Sequence, residues 1–317
     1  MTLHLIDGCD DGSSWGATTA GTTGIGRTGK GISAWGPYLI PSAAQADTLT
    51  IGAAFKVTAY GAINLFLASG AGSVSNSLNL NTNGKLLVYR FNTIQGQTAD
   101  AFMPLNTWVY LEWQVRNHDT LGFHKVRVNG VDVPELTLTN IDTKNSTGLL
   151  YDSCSVSTLG ASSGIDDIYL MTGSGDTFLG DVVVETLYPT GNGVTNAWVG
   201  VDGDSSDNFA HVDETPHNIT DWVTTTTVGA QDFYTFGDLV GTGTVLGVTH
   251  HVIAQKTDTA QTKSIKLLNR GSAVTAGPAQ VLTTTFAPYS YTLATNPEGG
   301  NWTSAAVNAL QAGVEAA

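Results

Sequence analysis

The chain has 317 residues, 37 of them glycine, and is 41% hydrophobic but only 13% charged, with a formal net charge of −14. About 25% charged is usual for a soluble domain, so small polar residues have replaced charge here, and the high-charge, low-hydrophobicity composition of disorder is excluded. Acids exceed bases by seven in residues 1–193 (16 against 9) and again in 194–317 (11 against 4), so neither part carries the basic stripe that nucleic acid or an anionic membrane requires.

No run approaches the ~18 consecutive apolar residues of a spanning helix. The start, Met1–Asp7, has neither the basic nor the apolar region of a secretory leader, so none is expected. Cys9 and Cys154 fit neither a disulfide framework nor a metal cluster. Two unrelated thiols, or one bridge within or between chains, both remain open.

Period-two patterning dominates the first part. Residues 48–57 place Leu49, Ile51, Ala53, Phe55 and Val57 on one face, and 107–116 do the same with Val109, Leu111, Trp113 and Val115. Half-buried strands have this alternation. Asn129-Gly130, flanked by Val126, Val128, Val131 and Val133, predicts a hairpin over 125–133 with a type I′ turn. Further strands are expected at 62–67, 86–91, 165–171 and 181–187. The turn residues Pro189–Gly193 then divide the chain into 1–190 and 194–317. The second part holds 21 threonines, whose β-branched side chains suit strands with a wet face. Strands are expected there at 222–228, 233–236, 245–254, 262–268 and 288–293. Thr303 is the expected N-cap of a short helix over 304–310, with Gly313 as its stop. The fold class expected is all-β: two antiparallel β-sandwich (jelly-roll) domains with one short helix near the C-terminus.

Two resemblances add to this. Gly24–Ile32, the strand at 48–57, Asn106-Thr-Trp108, the Val128-Asn-Gly130 tip and Gly164-Ile-Asp-Asp-Ile-Tyr-Leu170 occur in the order of the laminin-G-like branch of the concanavalin A-like jelly rolls, which residues 1–188 resemble. That resemblance implies two packed sheets with a concave face of the kind that presents glycans or protein partners. Gly180–Gly193, Asn196-Ala-Trp198, Val212–Pro216, Asp232–Leu239 and Asn296–Leu310 resemble the C-terminal region of structural proteins from tailed bacteriophages. This implies a virion component assembled in the host cytoplasm.

Several motifs invite chemistry. Gly24-x-Gly26-x-x-Gly29-Lys30 approximates a phosphate-binding loop, but Gly31 replaces the Ser/Thr and Ile32–Pro37 cannot open a helix comfortably, so a glycine-rich turn into a strand is expected. Asp202, Asp204 and Asp207 resemble a calcium loop, since closely spaced carboxylates suit a hard cation, although the EF-hand glycine and terminal glutamate are missing. A solvated acidic turn is the plainer reading. His211 and His217, with Asp213 and Glu214 between them, offer metal donors on a loop, and His250 and His251 fall on opposite strand faces. Asp166-Asp167 reads as a turn or rim charge at a strand start.

On 107–116 the face opposite Trp113 carries Trp108, Tyr110, Glu112, Gln114 and Arg116. Trp108, Tyr110 and Arg116 are candidates for stacking on sugar rings or anchoring a protein, although Trp108 could equally fill the sandwich edge. Trp15, Trp35, Trp198, Trp222 and Trp302 sit in turn-rich sequence, as end plugs or as contacts. The six glutamates are scattered, with no pair on one strand, so the two-carboxylate machinery of a glycosidase is not expected. The expected function is a non-catalytic subunit of a phage tail, fibre or decoration, oligomeric, contacting other virion proteins and host-surface polysaccharide. It is expected to need no cofactor beyond calcium. A dedicated carbohydrate-binding adhesin is the alternative, and a glycan-cleaving jelly roll the third reading.

Overall fold

A computed structural model describes residues 2–10, 26–32, 34–145, 148–157, 164–175, 177–215 and 217–317. Trp15, Gly24, the Trp35 side chain and Pro216 lie outside what is described. The chain forms two compact units, Met1–Val184 and Glu185–Ala317.

The first unit contains β1 (Thr2–Asp7), β2 (Ala34–Leu39), β3 (Thr48–Lys56), β4 (Ile63–Gly70), β5 (Ser73–Leu80), β6 (Leu86–Arg90), β7 (Thr93–Gln97), β8 (Trp108–Arg116), β9 (Gly122–Val128), β10 (Val131–Asp132), β11 (Leu138–Ile141), β12 (Ser153–Ser157) and β13 (Gly164–Thr172). One antiparallel sheet runs β1-β13-β3-β8-β9-β10 with β11 also on β9, and the other runs β2-β12-β4-β5-β6-β7. The alternating residues of β3 and β8 identified above face the second sheet and form the core with Phe66, Leu78, Val88, Ile165, Ile168 and Leu170. Non-local pairing of short alternating strands forces this architecture, because each sheet has one apolar face to bury. Asn129 and Gly130 take φ values of 49° and 77°, the left-handed pair of the type I′ turn joining β9 to β10. Cys9 and Cys154 are free and buried in this core, and burial pushes both thiols above their ordinary pKa.

Trp113 occupies the centre. Its ring stacks between Phe66 and His124, with interplanar angles of 7° and 10°, and its Nε1–H donates to His124 Nδ1 at 3.1 Å. Indole is only a donor, so His124 Nδ1 is the acceptor. The neutral ring's proton therefore sits on Nε2, 2.8 Å from Gln95 Oε1.

The second unit contains β14 (Pro189–Asn196), β15 (Val199–Gly200), β16 (Val223–Thr224), β17 (Gln231–Phe236), β18 (Val248–Ala254), β19 (Ser264–Arg270), β20 (Val274–Ala276), β21 (Gln280–Val281), β22 (Ala287–Leu293), α1 (Ser304–Asn308) and β23 (Gln311–Ala316). Its main antiparallel sheet runs β14-β17-β23-β19-β20, with β21 also on β19. The two-stranded β18–β22 sheet supplies Tyr289, Val252 and Tyr291 to a small core with Ile265, Leu267 and Val314. Thr303 Oγ1 accepts the Ala306 N–H at 3.1 Å and caps α1 as expected. Trp302 is buried and Trp198 half-buried, each donating Nε1–H to a backbone carbonyl, whereas Trp222 is exposed. Among the described residues no helix is long and apolar enough to cross a membrane.

Three expectations change. Residues 181–187 form no strand. Pro189–Gly193 are not a linker but the start of β14, and the unit boundary falls at 184/185. A Cβ on Gly193 would come 2.6 Å from Phe233 Cβ, so this glycine permits close strand packing rather than a turn. Gly313 likewise lies inside β23, and α1 stops at Asn308.

Candidate functional site

Strand β8 was expected to present Trp108, Tyr110, Glu112, Gln114 and Arg116 to solvent. The structure covers most of that face. Residues 177–184 cross the outside of the β1–β13–β3–β8 sheet as an extended strap, and Leu179 and Val182 pack on a cluster of Leu3, Ala54, Tyr110, Tyr169 and Met171, with Trp108 partly buried beside it. The strap is tied down by polar contacts. The Gly180 N–H and the Tyr169 hydroxyl both donate to Glu112 Oε1, at 2.8 and 2.6 Å, and the Val184 N–H donates to Asp167 Oδ1 at 2.7 Å. Arg127 lies over the Phe178 ring at 4.6 Å. Tyr110 is 2% exposed and Glu112 is 0% exposed, so neither is a contact surface. Burial raises the Glu112 pKa against the pull of those hydrogen bonds. The apolar strap residues cover an apolar patch that alternation alone marks as solvent-facing.

Beyond the strap the same face stays accessible. A cavity of about 320 Å³ opens over the far end of β8 and β9, lined by Asp47, Thr48, Gln114, Arg116, Phe123, Lys125, Ser174 and Gly175. Register builds it: Arg116 pairs with Phe123 and Gln114 with Lys125 across β8–β9, and Thr48 pairs with Arg116 across β3–β8. Arg116 Nε–H donates to Asp47 Oδ2 at 2.8 Å, and both side chains remain about one-third exposed. Gln114 Nε2 donates to Thr50 Oγ1 and to the Gly175 carbonyl. The Lys125 ammonium sits 5.1 Å from the centre of the Phe123 ring. Of the three residues singled out on β8, only Arg116 reaches this groove; Trp108 and Tyr110 do not. Phe123 and Lys125 escaped the sequence reading. Their signal was there, since 123, 125 and 127 alternate with the buried His124 and Val126, but only strand register places them beside Arg116.

The glycine-rich segment and Asp166-Asp167 turn out to be one structure. Asp166 and Asp167 lie inside β13 at a register shift against β3, not at a strand start. Both are fully buried, and Asp167 has φ 53°. The Arg27 and Thr28 N–H groups donate to Asp166 Oδ2 at 2.6 and 3.1 Å. The Arg27 guanidinium reaches Asp167 and Asp181 at 3.3 and 2.6 Å. The loop amides that resembled a phosphate cradle therefore hold a carboxylate of their own chain. Burial, then the Asp167 charge, pushes Asp166 up to about 7; burial pushes Asp167 up to about 6.

In the second unit Asp202, Asp204 and Asp207 do not form the three-carboxylate group that the calcium-loop resemblance implies. Asp204 Oδ1 accepts from the Ser206 N–H and hydroxyl at 2.8 and 2.7 Å and closes its own turn. Asp202 and Asp207 instead meet His211, each offering a donor atom within 4.8 Å of the others. His217 is exposed and stands apart from this group.

No protein-family model matches the chain, and no curated protein matches it significantly. Among solved structures, partial overlaps exist with a Trypanosoma rangeli sialidase mutant displaying trans-sialidase activity (13% identity, 48% of this chain and 27% of that one, TM-score 0.32). Others are domain 4 of AbnA, a GH43 extracellular arabinanase from Geobacillus stearothermophilus in complex with arabinotriose (15%, 53% and 82%, 0.32), and the CBM40 of the Ruminococcus gnavus IT-sialidase (15%, 44% and 88%, 0.31). The overlap spans about a quarter of the sialidase chain's own length.

Proposed function

We propose that this chain is a non-catalytic glycan-binding subunit that takes a polysaccharide in the groove at the end of β8 and β9. The groove itself carries the reading. An aromatic face at Phe123 suits the C–H face of a sugar ring, while Arg116, Lys125, Gln114 and Asp47 surround it with donors and an acceptor for hydroxyl or carboxylate groups. Hydrolysis by two carboxylates needs both to face the substrate. Among the described residues the groove lining supplies one, Asp47, already paired with Arg116, and Glu112 is held beneath the strap.

On a glycan array, the full chain should bind a polysaccharide, and Phe123→Ala and Arg116→Ala should each weaken it at least about tenfold with the fold intact, as loss of a central aromatic or arginine anchor does. Trp108→Ala should leave affinity unchanged. Absence of any glycan signal, or full binding by Phe123→Ala, sinks the reading, and reducing-end release would refute its non-catalytic part.

A second reading, a virion assembly role, is supported by the resemblance of 180–317 to phage structural proteins. The observation favouring it is apolar exposure in the second unit, where Val228 is 72% and Val240 89% exposed, with Val281, Ile219 and Val194 all above half. Burying these side chains against another subunit would take apolar surface out of water, and self-association is the measurement that decides it. Sedimentation of the full chain at tens of micromolar should show a defined oligomer, and mass spectrometry should find it in particles at stoichiometric amounts. A monomer absent from particles overturns this reading.

A further inference from the structure

The Asp202–Asp207–His211 group has a feature that an acidic turn does not explain. His211 Nδ1 lies 2.5 Å from Asp221 Oδ1. A carboxylate only accepts, so the hydrogen is on Nδ1. The other nitrogen, Nε2, is shielded from solvent and makes no hydrogen bond, yet it lies 3.4 Å from Asp202 Oδ1. In the neutral ring the Nε2 lone pair thus faces a carboxylate oxygen, with Asp207 as a second acceptor nearby. A second proton on Nε2, or a metal ion in that proton's place, makes this contact attractive, so the position suits a cation of either kind.

We propose that Asp202, Asp207 and His211 bind one divalent metal ion of the zinc class, with Asp221 as the residue that positions the imidazole. The spacing fits such an ion. Bonds of ~2.1 Å at a tetrahedral angle separate two ligand atoms by ~3.4 Å, the distance found between Nε2 and Asp202 Oδ1. The Asp221 contact fixes the tautomer and ring orientation, as carboxylates behind metal-binding imidazoles do. Glu214 shares that carboxylate's surroundings, so several acids encircle one imidazole. Gly200 keeps the pocket open: a Cβ there would lie 2.5 Å from His211 Nε2 and 2.7 Å from Asp202 Oδ1. Mixed imidazole and carboxylate donors select a zinc-class ion over calcium, which takes oxygen ligands in larger number. The ligands come from the β15 end and from the short 3-10 turn Asn208–His211. The ion would therefore staple a long excursion in a unit whose apolar core is small.

The test uses the full chain, stripped with chelator and dialysed. Calorimetric titration with Zn²⁺ should give one site per chain, Co²⁺ should give the intense visible absorption of a tetrahedral site, and Zn²⁺ should raise the melting temperature while Ca²⁺ at the same concentration does not. His211→Ala and Asp202→Asn, the second a neutral isostere at an exposed position, should abolish the Co²⁺ signal with unchanged circular dichroism. Asp221→Asn should weaken affinity about 10- to 100-fold, the usual range for losing an outer-shell partner. No Zn²⁺ binding by the parent chain, equal binding by His211→Ala and Asp202→Asn, or preference for Ca²⁺ would each overturn the proposal.

Discussion

Replacing Trp113 with alanine is expected to cost the first unit about 3–5 kcal/mol, the range for emptying a large aromatic site in a packed core. Trp113 is fully buried, stacked on Phe66 and His124, and it is the hydrogen-bond donor to His124 Nδ1. The substitution therefore opens a cavity and also leaves a buried imidazole nitrogen without its donor, a penalty of about 1–3 kcal/mol by itself. Trp113→Phe keeps most of the ring contact and should show mainly the second cost. Urea unfolding followed by circular dichroism measures both. A loss below about 1.5 kcal/mol for Trp113→Ala, under the usual range for such truncations, would mean that the core closes over the gap and that Trp113 is not its keystone.

The second expected result is a pH dependence that Asp166→Asn removes. Burial, then the neighbouring Asp167, raises the Asp166 carboxyl to about 7, while an unfolded aspartate titrates near 3.9. Between those values the folded chain holds a proton that the unfolded chain lacks. Its contribution to stability is thus fully present below the unfolded pKa and is lost as pH rises through about 7. At about 1.4 kcal/mol per unit, the stability gap between Asp166→Asn and the parent should swing by on the order of 4 kcal/mol from about pH 4 to about pH 8, in favour of the variant at high pH. His124 works in the opposite sense. Burial lowers it to about 3, so protonation of the unfolded chain alone erodes stability as pH falls from about 6.5 towards 3. Urea midpoints across pH for the parent, Asp166→Asn and His124→Gln separate the two slopes. An Asp166→Asn profile parallel to the parent would show that the Asp166 carboxyl is ionised in both states.

Both effects arise where local pattern met something distant. Alternation along β3 and β8 identified the core face residue by residue, and Asn129-Gly130 announced its own turn, because strand period and turn dihedrals depend only on neighbours in sequence. The Thr303 cap was legible for the same reason. The candidate binding face was only half legible. Arg116 was found on β8, but Phe123 and Lys125 join it through the β8–β9 register, which no single strand encodes. Tyr110 was chosen from its alternation and lost to the strap at 177–184, a segment whose own valines suggested a paired strand. Likewise Asp202 and Asp207 were found in the loop, whereas Asp204 was closer in sequence than His211 but turns inward on Ser206.

Period-two alternation and turn residues, in a chain sparse in charge and rich in glycine and threonine, were thus enough, from the sequence by itself, to establish an all-β chain with defined inward faces, because those follow from short-range stereochemistry and the burial of apolar residues. Tertiary structure alone decided which outward residues stay accessible and which are covered. It laid 177–184 over Tyr110 and Glu112, turned loop amides onto Asp166, and brought His211 to Asp202 and Asp207. The reason is physical: contacts between residues far apart in sequence depend on register and on which segment covers which face, and those are settled only when the whole fold closes.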